Sequence, residues 1–421
     1  MPIPFCHPNA CRNDLYCSEE TMLTDEHIQR YAKTLIWGLK TARTAPFRKN
    51  DIVLIRYDRP AIELMEILYD SLLAQGFNPV TRMLSTPKME TAFYTRSGTK
   101  QLSFIAPGDK ELYRNLNGSI AVLAPESITH LQGIDPFRIG KSILARKPLR
   151  DISVEREQQG LFGWTLCAYP TEEQARHAGI DLQQYSDQII KACFLDQADP
   201  VAEWKAVYRK AAAIKKWLNA LDIRAYHIES KNMDLTIDPG KSRRWIGVTG
   251  HNIPSFELFL SPDWRGTEGV YFADQPSYRS GNLVESVRLE FRKGKVVSAT
   301  AAAGESFLKK QIEMDPGACR IGEFSLTDKR FSRIDHFMAN TLFDENFGGQ
   351  HGNCHIALGA SYADTYSGDP AELTRQAKAR LGFNDSALHW DLVNTEPKRV
   401  TALLKGSKRM VIYEDGMFKG R

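Results

Sequence analysis

Four short strings in the second half of the chain hold side chains able to bind a metal: NIPSFELF (252–259), IGEFSL (321–326), CHIALGASY (354–362) and ALHWDLV (387–393). In His389-Trp390-Asp391 the outer residues are two apart, so on an extended strand their imidazole and carboxylate project to one face and can meet on one ion. Such mixed nitrogen and oxygen donors suit Zn²⁺, Mn²⁺ or Co²⁺. Glu257 and Glu323 each stand among apolar or small residues, where an unpaired carboxylate is costly and a cation relieves it. Plainer readings remain open on spacing alone. His389 and Asp391 could be a surface pair, Arg320 could neutralise a glutamate, and His355, before Ile-Ala-Leu-Gly, could be a satisfied core histidine.

The elements that must position these residues fall into two textures. Apolar residues at Ile28, Tyr31, Ala32, Leu35, Ile36 and Leu39 predict a helix over 24–43. A strand at 52–57, a helix at 61–75 closed by Gly76, and strands at 80–83, 118–124 and 163–169 then predict an α/β domain with a mainly parallel sheet over residues 1–195. Helices at 182–195 and 201–221 lead to a second region, 196–421, of mostly antiparallel strands that carries the metal site. Its strands are IRAYHI, MDLTI, RWIGV, GVYFA, ESVRLEFR and KVVSATA, with a tight hairpin at RKGKVV and helices at 304–314 and 332–340. The overall class is α/β plus α+β.

The chain has 421 residues, too many for one core, and 42% of them are hydrophobic. Lys and Arg exceed Asp and Glu by 55 − 51 = 4 with no basic block, which argues against a nucleic-acid partner. No apolar run is long enough to span a membrane and no basic, then apolar, leader is evident, so the expected compartment is the cytoplasm. Seven cysteines, an odd set, point to reduced thiols. Cys6, His7, Cys11 and Cys17 lack a paired Cys-x-x-Cys and read as a polar arm rather than a metal site. No strand is followed by G-x-G-x-x-G or G-x-x-x-x-G-K-[ST], so nucleotide cradles are absent.

Taken in order, N-I-P-S-x-E-L-F, G-E, T-L-F-D-E-N, C-H-I-A-L-G, Y and H-W-D resemble the thermophilic aminopeptidase family, of the T, S and II types. The likeness covers most of residues 245–393 and extends more loosely to YPTEEQARHAG (169–179) and the α/β region. It implies a two-domain homodimer that removes N-terminal residues from peptides with two divalent ions, Zn, Co or Mn. It assigns Glu257, Glu323, His355, His389 and Asp391 as ligands, and Tyr362 as the site tyrosine seven positions after the first histidine. Two ions of this kind acidify a water and polarise the scissile carbonyl. Glu257 or Glu323 is then the candidate proton shuttle, and Tyr362 a ligand or a donor to the oxyanion. Two departures stand out. Phe256 occupies a position where many members have a small residue, and is expected to narrow the pocket. The link before His355 is longer and contains His351, whose role within loop 347–353 is open. Ring-opening dioxygenases of dihydroxypyridines, with one iron, share part of this ligand set; six retained positions fit a two-ion site better. A non-catalytic binding protein on the same scaffold would have no need of so many convergent acidic and imidazole groups.

Overall fold

The computed structural model describes residues 23–420, so Cys6, His7, Cys11 and Cys17 lie outside the described residues. The strands, in chain order, are β1 (Ile52–Tyr57), β2 (Asn78–Met83), β3 (Gly118–Leu123), β4 (Gly163–Ala168), β5 (Ile223–Ser230), β6 (Asp234–Ile237), β7 (Asn252–Ile253), β8 (Glu257–Leu260), β9 (Glu268–Ala273), β10 (Ser277–Arg279), β11 (Asn282–Val284), β12 (Val287–Arg292), β13 (Lys295–Thr300), β14 (Ile321–Thr327), β15 (Asn353–Gly359), β16 (His389–Asn394), β17 (Lys398–Leu404), β18 (Arg409–Glu414) and β19 (Met417–Phe418).

β1 to β4 are parallel, in the order β2-β1-β3-β4, and β7 extends them in parallel beside β4 through Leu166↔Asn252 and Cys167↔Ile253. The first helix spans Asp25–Thr41; the Thr24 hydroxyl accepts from His27 N–H, and the residues with helical spacing are the buried ones. Gly76, at φ 80°, ends the helix Ile62–Ala74. The 23-residue helix Pro136–Gln158 was not legible in the sequence, because its apolar positions are sparse and Pro148 lies inside it.

The remaining strands build two larger antiparallel sheets and the separate antiparallel pair β10-β11. Eight run in the order β13-β12-β9-β6-β5-β17-β18-β19 and four in the order β16-β15-β14-β8. They pack face to face: Tyr271 on β9 donates its hydroxyl hydrogen toward the carbonyls of Cys354 (3.1 Å) and Leu392 (2.6 Å), and Phe324 lies 5.5 Å from the rings of both Tyr226 and Trp245. RKGKVV is the β12–β13 hairpin, with Gly294 at φ 73°.

Two expected elements are corrected. RWIGV (244–248) forms no strand; it makes one isolated pairing, Ile246↔Phe259, beside that of the preceding Arg243 with Tyr366, and Gly247 at φ 145° breaks the run. Residues 332–340 form no helix, because the Asp344 carboxylate accepts the N–H groups of Met338 (2.7 Å) and Asn340 (2.8 Å) that helical carbonyls would otherwise take. The helix there is the single turn Thr341–Asp344.

A Cβ on Gly247 would stand 2.1 Å from the carbonyl oxygen of Glu257, in a backbone conformation that side chains disfavour. Gly247→Ala therefore forces β8 to move and is expected to cost about 2–4 kcal/mol, read as a lowered urea midpoint.

Candidate metal centre

One face of the four-stranded sheet carries the chemistry. Thr327 opposes Glu257, Ser325 opposes both Phe259 and His355, and Ala357 opposes both Glu323 and Asp391, while Gly359 opposes His389. Alternation along β8, β15 and β16 thus puts Glu257, His355, His389 and Asp391 on a common side. Glu323 joins them by the same alternation, since Glu323, Ser325 and Thr327 on β14 pair with β15 without a break. Just before it the pairing slips at Gly322, so that Ile321 and Glu323 face successive residues Leu358 and Ala357. This bulge turns Ile321 into the core instead of toward the site face. Only glycine fits there, since a Cβ would lie 2.4 Å from the carbonyl oxygens of Gly359 and Ala360.

The groups converge closely. His355 Nε2 is 3.1 Å from Glu323 Oε1, 3.2 Å from Glu257 Oε2 and 3.9 Å from Asp391 Oδ1. His389 Nε2 is 3.4 Å from Asp391 Oδ1 and 3.8 Å from Glu323 Oε2. The other ring nitrogen of His389 bonds to the Ala360 carbonyl at 2.9 Å, which leaves Nε2 unprotonated toward the cluster. Ser325 donates to Glu257 Oε2 at 2.7 Å. Tyr362 lies after β15, held by its N–H on Ser261 Oγ (2.8 Å), with its ring edge-on to His389 at 4.8 Å.

The structure adds a carboxylate to this set. Glu345 follows the turn Thr341–Asp344 and, with His355 and Asp391, forms one group of donor atoms within 4.8 Å of one another; Glu257, Glu323 and His355 form another. Its Oε1 accepts from Asn252 Nδ2 at 3.0 Å, while Asn346 Oδ1 takes the N–H groups of Phe256 (2.5 Å) and Glu257 (3.1 Å). The string T-L-F-D-E-N was visible as a likeness. The signal in it was a second carboxylate beside apolar Leu342 and Phe343, the same cue that singled out Glu257 and Glu323.

Other candidates fall elsewhere. Arg320 stacks on Trp264 at 3.9 Å and neutralises neither glutamate. Phe256 points away from the site onto Trp204 (5.3 Å) and Phe194 (6.3 Å), so it does not narrow the cavity. His351 is beside Gly416 in the β18–β19 turn, outside the cavity lining.

Four buried or nearly buried carboxylates face two imidazoles, and even with both rings protonated and the Arg279 guanidinium beside Asp391 the negative groups are in excess. Burial, with Glu257 alongside, pushes Glu323 up to about 7, and burial with Glu257 and Asp391 raises Glu345 well above the carboxylate range. Burial alone would lower His355, but its bonds to Glu257 and Glu323 outweigh that and raise it. Burial opposes ionisation of Asp391, yet His389, His355 and Arg279 hold it down at about 2. Oxygen and imidazole donors at this density with a net negative charge fit divalent cations.

The cluster opens into a cavity of about 400 Å³ between the four-stranded sheet and the β4–β7 edge of the parallel sheet. Comparison with known proteins now decides the family: the model for thermophilic metalloproteases (M29) matches residues 24–418. The chain belongs to that family. Its M29 relatives include aminopeptidase T of Thermus aquaticus, 30% identical over 68% of this chain and 72% of the relative. Aminopeptidase AmpS of Bacillus subtilis is 28% identical over 74% of this chain and 78% of its own length. The solved structure of wild-type AmpT from Thermus thermophilus superposes with a TM-score of 0.73 at 21% identity, over 93% of this chain and 99% of that one, and has the same fold. As an M29 member the chain is a metallopeptidase. No described helix is long and apolar enough to cross a membrane.

Glu323, Glu345 and His355 hold their protons more tightly folded than unfolded. Their contribution is present at low pH and is lost as pH rises through the folded values; Asp391 acts oppositely, only below its ordinary value of 3.8. Metal-free protein is therefore expected to lose thermal stability as pH rises from about 4.5 through 7. Saturating Zn²⁺ should flatten or invert that slope in differential scanning fluorimetry. A metal-free protein with no such slope would contradict the burial described.

Proposed function

We propose that this chain is an aminopeptidase that removes N-terminal residues from peptides at a centre of two divalent ions, Zn, Co or Mn. The observation that carries this reading is the cavity wall: among its lining residues are seven carboxylates and two histidines, but no lysine or arginine. Such a wall attracts the free ammonium of a peptide and repels its terminal carboxylate. The relatives named aminopeptidases point the same way.

Glu257, Glu323 and His355 would hold one ion, and Asp391 and His389 the other, with Glu323 within reach of both imidazoles. The bound ions would lower the pKa of water and polarise the scissile carbonyl. Ser325 orients Glu257 through its 2.7 Å bond, and Ala360 orients His389. Glu345 is tethered through Oε1 to Asn252, which leaves Oε2 to take a proton from water and return it to the leaving amine. The Tyr362 hydroxyl makes no hydrogen bond to any described residue and is available to the developing oxyanion, a contact that strengthens in the transition state. The buried free thiols of Cys167, Cys193 and Cys354 support a reducing, cytoplasmic setting.

Dialysis against a chelator is expected to abolish hydrolysis of leucine 4-nitroanilide, and Zn²⁺, Co²⁺ or Mn²⁺ to restore it. Glu345→Gln should lower kcat by about 100-fold or more with metal content retained, whereas Glu323→Gln should lose metal as well as turnover. Metal content by plasma emission separates the two roles. Full activity in the chelated protein would reject the reading.

A further inference from the structure

One end of the cavity has chemistry that the reaction itself does not use. Trp164 Nε1 donates to Glu157 Oε1 at 3.0 Å, and His251 Nε2 bonds to the same oxygen at 2.9 Å. The Trp164 and His251 rings lie against each other at 4.4 Å, tilted by 43°, and Thr249 holds the far nitrogen of His251 at 2.7 Å. These bonds tie the C-terminal turn of the helix Pro136–Gln158 to β4 and to the residue before β7 along this end of the cavity.

Two carboxylates line that end with unused valence. Glu157 spends only Oε1 on Trp164 and His251. Asp364, two residues beyond Tyr362, also lines the cavity, and its Oδ1 is buried with no hydrogen-bond partner. Arg244 binds the backbone carbonyl of Asp364 through Nε at 3.0 Å, and although Arg244 and His251 both act on the carboxylate through space, neither gives Oδ1 a hydrogen bond. A buried carboxylate oxygen without a partner is costly and marks a place for an incoming donor. Around these oxygens, Trp164, Leu166 and Phe259 supply apolar wall. An aliphatic stem between aromatic and leucine side chains, ending in a cation between two carboxylates, satisfies every one of these features. A neutral aliphatic side chain fills the wall but leaves Asp364 Oδ1 without a donor, since Glu157 already has Trp164 and His251, and an acidic one is repelled.

We propose that this end is the specificity pocket for the N-terminal residue and that it selects arginine or lysine. The inference rests on the aminopeptidase reading, since a pocket lined by Tyr362 takes the side chain next to the scissile bond only if the peptide enters by its N-terminus.

The test is a panel of arginine, lysine, leucine and glutamate 4-nitroanilides with the metal-loaded enzyme and its Glu157→Gln and Asp364→Asn variants. The wild type is expected to show kcat/KM for arginine and lysine about tenfold above leucine, with glutamate lowest. Each variant should lower the arginine-to-leucine ratio by about five- to tenfold, chiefly through KM. This ratio is insensitive to the fraction of protein that folds. Leucine hydrolysed as well as arginine by the wild type, or an unchanged ratio in both variants, overturns the pocket assignment and leaves the peptidase reading standing. Hydrolysis of no member of the panel overturns the peptidase reading instead.

Discussion

The burial of four carboxylates against two imidazoles on one sheet face is the constraint that organises this molecule. Coulomb repulsion at this range, in a medium of low dielectric, is too large to be absorbed by side-chain packing alone, so the surrounding residues are arranged around it. Polar neighbours saturate individual oxygens: Ser325 serves Glu257 and Asn252 serves Glu345. The opposite face of the same sheet is apolar, with Leu258, Phe324, Leu326, Ile356 and Leu392 fully or almost fully buried against the eight-stranded sheet. Stability is thus supplied on one side of four strands and consumed on the other. This division is common in sites that hold strained electrostatics for function.

The turn before β15 links the two sides. Asn346 binds the backbone at the start of β8, Asn353 donates to the Glu345 carbonyl at 2.7 Å, and Asp344, pushed up to about 8 by burial, gathers the N–H groups of Met338 and Asn340. A segment that looks like an ordinary loop in the sequence is therefore a rigid bracket. Its rigidity explains how Glu345, on no strand, joins donors that strands position.

How much of this was legible in the sequence varied with the physics behind each feature. Period-two alternation placed His389 and Asp391 on one face, and the parallel strands β1, β3 and β4 were visible as short apolar runs between turns. Glu257 and Glu323 were recognisable from their apolar neighbours. The family-like strings raised the six residues from isolated possibilities to one site, and the structure brings all six together. What stayed hidden depended on long-range contacts. Asp344 removes the expected helix at 332–340 by side-chain bonds that no periodicity encodes. Phe256 avoids the cavity because Trp204, 52 positions earlier, receives it. The Gly322 bulge that turns Ile321 away from the site face cannot be read without its partner strand.

The direct join between β7 and β8 has a mechanical consequence. Asn252 and Ile253 are laced into the parallel sheet, and after only three intervening residues Glu257 opens the strand that brings it to the cluster. A span this short has no slack, so the two sheets cannot hinge apart at this point without pulling Glu257 out of register. Ion occupancy at the cluster is thereby coupled to the docking of the two halves, and loosening either one lowers the barrier to loosening the other. The chain behaves as one cooperative block through this joint, and substrate access falls to the loops at the cavity mouth rather than to a rocking of its halves.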